Sequence, residues 1–238
     1  MKKIISVIAI ALLLPGLTGC STFKDTPETD AAFAAYEAAV SQTVGHKSGI
    51  ITVVTENKDT AIENKETLGV IDYEFTTDAE GKVTFTRNDY TDGLPVAAYK
   101  GDGKAAYQMN METEEWVDVT EESAAMLTHD TNYMNTLSLF RIDNGFRYSK
   151  QFFESVTMQE TAGEKVITFT FKNDAVTGML EYSDVRGIKR EQASQTRTYY
   201  VNEAGDISKI VIDTVQNIKY EGKTGILSTK ITVTTKYE

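Results

Sequence analysis

Cysteine is almost absent from this chain: Cys20 is the only one in 238 residues. A single thiol excludes an internal disulfide framework, so the folded part has to be stable through its core. Histidine is nearly as scarce. His46 and His129 are far apart and in no metal-ligand spacing, so no metal site is expected. With three prolines and no low-complexity run, nothing in the sequence marks a linker between domains. Positive charge is in deficit, 24 Lys and Arg against 35 Asp and Glu, for a net charge of -11. Such a surface repels nucleic acid and anionic lipid headgroups. There is no Gly-x-Ser-x-Gly elbow, phosphate loop or dinucleotide fingerprint. The expectation is a non-enzymatic protein without a cofactor.

Long apolar runs are lacking too. The longest, Ile4 to Leu14, has 11 residues and is almost wholly apolar, broken only by Ser6, whereas a helix needs roughly 20 to span a bilayer. It follows the basic Met1-Lys2-Lys3 and precedes Pro15, Gly16 and Leu17-Thr18-Gly19-Cys20. That order is the plan of a secretory signal. Leu17-Thr18-Gly19-Cys20 resembles the bacterial lipobox. The resemblance implies cleavage before Cys20, a diacylglyceryl group on its thiol, and a palmitate-type acyl chain on the new amine. Two or more acyl chains hold a protein stably on a membrane, where one does so only marginally. The expected organisation is a lipoprotein signal peptide at 1–19, a lipidated tether at 20–27 and a single domain at 28–238. The protein is then exported and anchored to the extracytoplasmic face of the cell membrane.

Thr26-Pro27-Glu28 reads as a helix start, with a capping hydroxyl, Pro in the first turn and an acid near the positive helix end. Phe33, Tyr36, Val40 and Val44 follow at helical spacing, and Gly45 is the expected stop. The pattern then changes to period two. Ile51 and Val53, then Ile71, Tyr73 and Phe75, then Val83 and Phe85, then Tyr107, Met109 and Met111 alternate with polar residues. Turn chemistry separates them at Asp78–Gly81, Asp92-Gly93 and Gly101-Asp102-Gly103. A second strand-rich half runs from Phe152 to Phe171 across Ala162-Gly163-Glu164. A short helix capped by Asn173 or Asp174 comes next. The chain closes with a meander, Ser194 to Asn202, Ile207 to Tyr220 and Gly225 to Tyr237. These strands are rich in Thr, Val, Ile and Tyr, and their one-sided pattern calls for helices over one face.

Between the halves, Thr120-Glu121-Glu122 resembles a second helix cap, and Met126, Leu127, Tyr133, Met134, Leu137 and Phe140 fit one or two amphipathic helices. Those six residues admit two readings. They fill the core, or they line a lipid-sized cavity, since methionine adapts to irregular apolar shapes. Asn88 to Gly93 is not a calcium loop, because Tyr90 and Tyr99 stand where oxygen ligands are required. Glu114-Glu115 and Glu121-Glu122 read as solvated acids. His46 is expected to sit at the negative end of the first helix, and His129 likewise near the end of its own helical run.

The order of elements resembles the LolA/LppX-like lipoprotein superfamily, particularly the lipoproteins of Gram-positive bacteria. An amphipathic helix through Phe33, Tyr36 and Val40 leads into a meander. The segment Tyr99-Lys100-Gly101-Asp102-Gly103-Lys104 runs on through Tyr107 to Trp116. A helical insertion, a second meander and a short helix after Phe171 complete it. The resemblance implies an α+β fold: a large curved antiparallel β-sheet, or half-open β-barrel, with helices packed on its concave face. It also implies an apolar cavity for a lipid or a lipoprotein's acyl chains. The alternative from the sequence is an envelope sensor or accessory module that binds another protein and has no cavity.

Overall fold

The computed structural model describes residues 23–60, 65–122, 150–181 and 188–238, and for Met179 and Glu181 the backbone only. Among these residues, eleven strands form one antiparallel sheet. They are β1 (Ser48–Asp59), β2 (Lys65–Thr77), β3 (Val83–Thr91), β4 (Leu94–Asp102), β5 (Ala106–Asn110), β6 (Glu115–Asp118), β7 (Phe153–Thr161), β8 (Glu164–Phe171), β9 (Lys189–Val201), β10 (Ile207–Tyr220) and β11 (Lys223–Tyr237). Their spatial order is β6-β5-β4-β3-β2-β1-β11-β10-β9-β8-β7. Each half of the chain is thus a meander, and the halves join where β1 pairs with β11, Ile51 opposite Thr235 and Val53 opposite Val233. The sheet is open, and β6 and β7 are its edges.

Tight turns make these meanders possible. At β3–β4, β7–β8 and β10–β11 both central residues have positive φ, for example Asp92 at 51° and Gly93 at 79°. Two-residue turns of this hand match the twist of the strands they join. Gly101 is required for a different reason. The Phe85 ring lies where a side chain would begin, so a glycine in β4 lets the neighbouring strand's aromatic lie flat.

Helix α1 (Pro27–Thr43) opens as its sequence dictates. Thr26 is extended, its hydroxyl accepts the Thr29 N–H, and the Thr29 hydroxyl accepts the Thr26 N–H. This reciprocal pair satisfies two otherwise orphaned donors. The buried stripe is Ala32, Phe33, Tyr36, Ala39 and Thr43. Val40 is only half-buried. Small residues therefore make the close contact at the C-terminal half, where the spacing had pointed to valines. The last turn is tied down by the Ile207 N–H, which donates to the Thr43 hydroxyl at 2.8 Å.

Helix α2 (Asn173–Glu181) sits on β9. Val176 is buried, and the Thr177 hydroxyl accepts the Ala193 N–H at 2.9 Å. Ala193 and Tyr199 share a face of β9, and Tyr36 of α1 stacks edge-on against Tyr199 at 4.9 Å. Both helices therefore cover the same face of the sheet. The core lies under them, with Phe33, Phe153, Phe169, Tyr36 and Tyr199 in mutual ring contact. It continues under β1–β3 through Ile51, Val53, Tyr73, Phe75, Val83 and Phe85. The expected α+β architecture is the observed one. One strand is longer than the sequence reading had it: β9 starts at Lys189, not near Ser194. Its charged start lacks alternation, but it stays paired with β10 across a bulge between Asn217 and Ile218.

Candidate functional site

The lipid-attachment residue Cys20 and the six cavity candidates, Met126, Leu127, Tyr133, Met134, Leu137 and Phe140, lie outside the described residues, as do His129 and the rest of the expected central helices. The site has to be built from the sheet and the two helices.

The N-terminal approach is short and held. The Phe23 ring packs edge-on against Phe33 at 6.0 Å. Lys150, at the start of a 3-10 turn before β7, bridges Asp25 at 2.7 Å and Asp30 at 2.6 Å, with its ammonium 5.2 Å from the Phe33 ring centroid. Residues 23–26, expected to be part of a free tether, thus already belong to the fold.

The core face of the sheet is apolar in one zone and polar in others. In β1 the inward residues run Ile51, Val53, then Thr55 and Asn57; in β10 they run Ile210, Ile212, then Thr214 and Gln216. A polar network continues into β9. Gln195 donates to the Thr214 hydroxyl at 3.0 Å and accepts from Arg197 Nε at 3.0 Å. Arg197 is 6% exposed and lies over Phe171. Arg190 Nε donates to Gln216 at 2.6 Å.

A second polar group sits on β2–β4. Arg87 Nε and Nη2 donate to the two carboxylate oxygens of Asp89, each at 2.7 Å. Arg87 pairs in register with Tyr73 on one side and Tyr99 on the other, and its guanidinium stands 5.6 Å from the Tyr99 ring centroid. Tyr73 is 6% exposed, and its hydroxyl has no hydrogen-bond partner among the described residues. Burial pushes that phenol well above its ordinary pKa, against the opposing pull of the Arg87 charge. The hydrogen bond to Asp89 raises Arg87 further. A bulge interrupts β4 opposite Asp89 and Tyr90, beside this pair.

His46 departs from the helix-end reading. Its Nε2 lies 2.7 Å from Asp206 in the β9–β10 turn, and its ring stacks on Tyr237 at 4.3 Å. It fastens the end of α1 to the sheet. The Thr120 hydroxyl, expected to cap a helix, accepts the Ala106 N–H at 3.1 Å.

A groove of about 560 Å³ crosses the opposite face of β2, β1, β11 and β10. Glu56, Lys58, Glu66, Asp213 and Lys230 line it. It is polar, with Lys58 and Glu66 paired at 2.7 Å, and is no apolar cavity. Glu114 and Glu115 are exposed at the β5–β6 turn. No group of three or more His, Cys, Asp or Glu placed to hold a metal occurs among the described residues.

These features were hidden in the sequence for identifiable reasons. Arg87 continues the inward positions Val83 and Phe85, so a charge at an inward register was the available signal. Arg197 carried the same signal beside Tyr199.

Several solved structures are similar. LprF from Mycobacterium bovis shares 13% identity, covers 88% of this chain and 93% of its own, and gives a TM-score of 0.46. The lipoprotein LppX from Mycobacterium tuberculosis shares 11%, over 87% of this chain and 94% of its own, at 0.45. A LolA superfamily protein from Nitrosomonas europaea shares 9%, over 87% and 93%, at 0.29. No protein-family model and no curated protein matches the sequence. At such identities the ligand chemistry has to be read from this chain's own residues.

Proposed function

We propose that this protein is a membrane-anchored lipoprotein that binds or carries a hydrophobic ligand, a lipid or acyl chain, between its sheet and its helices, without catalysis. The observation that carries the reading is the extent of the apolar face. Helix α1 packs mainly on β7 and β10 and α2 on β9, yet the apolar layer continues through Ile51, Val53, Tyr73, Phe75, Val83 and Phe85 on β1–β3. An apolar surface broader than the main footprints of two helices is suited to shielding a ligand. Each ligand methylene removed from water there stabilises the complex by roughly 0.8 kcal/mol. Met126, Leu127, Tyr133, Met134, Leu137 and Phe140 are the proposed opposite wall.

Cys20 supplies the anchor in this reading. Phe23 is docked on Phe33, so only a few residues separate the acyl chains from the folded domain. At ~3.3–3.6 Å per extended residue, the domain stays within ~10 Å of its anchor point. A lipid ligand then enters and leaves next to the membrane surface.

Titration of the full chain with the fluorescent apolar probe 1-aminoanthracene tests this. Saturable enhancement at one probe per chain supports it, and a non-saturating signal equal to that of a folded control protein contradicts it. A protein-interaction module is the second reading, favoured by the exposure of Leu94, Val96, Trp116 and Val117 on β4 and β6. It predicts no probe binding.

A further inference from the structure

Arg87, Asp89 and Tyr73 are not needed as a set by the packing around them. Tyr73 stacks on Phe75 at 5.5 Å and meets Phe85 at 6.0 Å, contacts that phenylalanine would make equally well. Its hydroxyl is nonetheless kept in a residue that is 6% exposed, without a partner among the described residues. A buried hydroxyl without a partner lowers stability relative to the bare ring. Arg87 spends Nε and Nη2 on Asp89, and Nη1 makes no hydrogen bond among the described residues. Tyr73 and Arg87 are register partners on adjacent strands, so the spare N–H and O–H donors occupy the same face and neighbouring positions.

We propose that Arg87 and Tyr73 form a two-donor clamp for an uncharged oxygen acceptor, such as an ester carbonyl, at the polar end of the hydrophobic ligand. The proposal rests on the lipid-binding reading above and specifies its chemistry. Asp89 decides the charge. It neutralises Arg87, so an incoming carboxylate or phosphate is repelled by a carboxylate 2.7 Å from the same guanidinium. A neutral acceptor brings no net charge for Asp89 to repel and can take the two spare donors. The two hydrogen bonds to Asp89 orient the guanidinium, and the Tyr99 ring lies within cation–π range of it. The apolar residues Ile71, Val53 and Phe75 lie on the same face, next to the donors.

Three competitors for bound 1-aminoanthracene discriminate the outcomes: dioleoylglycerol, with two esters; squalene, with no acceptor; and oleate, with a charge. Each is measured on the full chain and on Tyr73→Phe and Arg87→Lys. Tyr73→Phe removes only a partnerless hydroxyl, so it is expected to fold, and its melting curve checks this. The clamp predicts that dioleoylglycerol competes best on the native chain. Each substitution should weaken it about tenfold, the worth of one hydrogen bond involving a charged or buried donor, and leave squalene within about twofold. Equal competition by dioleoylglycerol on native and variant chains overturns the clamp but leaves lipid binding intact. So does stronger competition by oleate than by the diester. Absence of probe binding to the native chain overturns both.

Discussion

Replacing Phe33 with alanine tests how α1 is held. Phe33 is 5% exposed and touches Phe23, Phe153 and Phe169, the last at 5.4 Å. Removing a buried phenylalanine leaves a cavity and costs ~3–5 kcal/mol. Total stabilities of domains lie at ~5–15 kcal/mol, so the variant keeps a folded population but loses a large share of its margin. Val40→Ala is the matched control. It lies on the same helix and was marked as a core position by its spacing, yet Val40 is only half-buried; its loss is expected near ~1 kcal/mol. Equilibrium urea unfolding followed by tryptophan fluorescence and far-UV circular dichroism separates them. With a slope of ~2 kcal/mol per molar urea, a ~4 kcal/mol loss lowers the midpoint by ~2 M for Phe33→Ala, against a few tenths for Val40→Ala. Equal shifts, or a larger shift for Val40→Ala, would refute the helix register described.

Three further outcomes are expected. Gly101→Ala puts a methyl into the Phe85 ring and should destabilise by ~1–3 kcal/mol, seen as a lower melting temperature. Tyr73 has a folded pKa raised above its ordinary value of 10.0 by burial. Its neutral form therefore contributes stability that is fully present below that pH and lost as pH rises above it. Tyr73→Phe should flatten the alkaline fall in urea midpoint, and an unchanged fall would count against the buried phenol. Lys150→Ala removes the bridges to Asp25 and Asp30; limited proteolysis should then cut more readily between Phe23 and Thr26, while the core keeps its protection.

Much of the fold was legible because period-two alternation and turn chemistry are local signals. Ile51 and Val53, Tyr73 and Phe75, and the Asp92-Gly93 turn announced themselves through spacing. Helix α1 was equally open, since Thr26 and Pro27 form a local start signal. The partners across the molecule were not. That β1 pairs with β11, residues nearly the whole chain apart, follows from side-chain packing that no short window contains. The half-buried state of Val40 was missed for the same reason, because period alone does not say how close the sheet comes. His46 was read from its place after a helix, whereas its partners Asp206 and Tyr237 come from the C-terminal meander. Of the candidate site, the proposed anchor rests on consecutive residues up to Cys20. The clamp is not, because Arg87 acquires meaning only once Tyr73, Asp89 and Tyr99 surround it.

Mass spectrometry of the full chain extracted from its native membrane decides whether a lipid-anchored domain holds a separate hydrophobic ligand. Measured under native conditions and again after denaturation, the two parts separate. Both masses are expected to correspond to a chain that begins at Cys20 and bears covalent acyl groups, and the native one to include an additional lipid mass lost on denaturation. A native mass equal to the denatured mass in protein extracted with mild detergent would contradict the binding of a separate ligand.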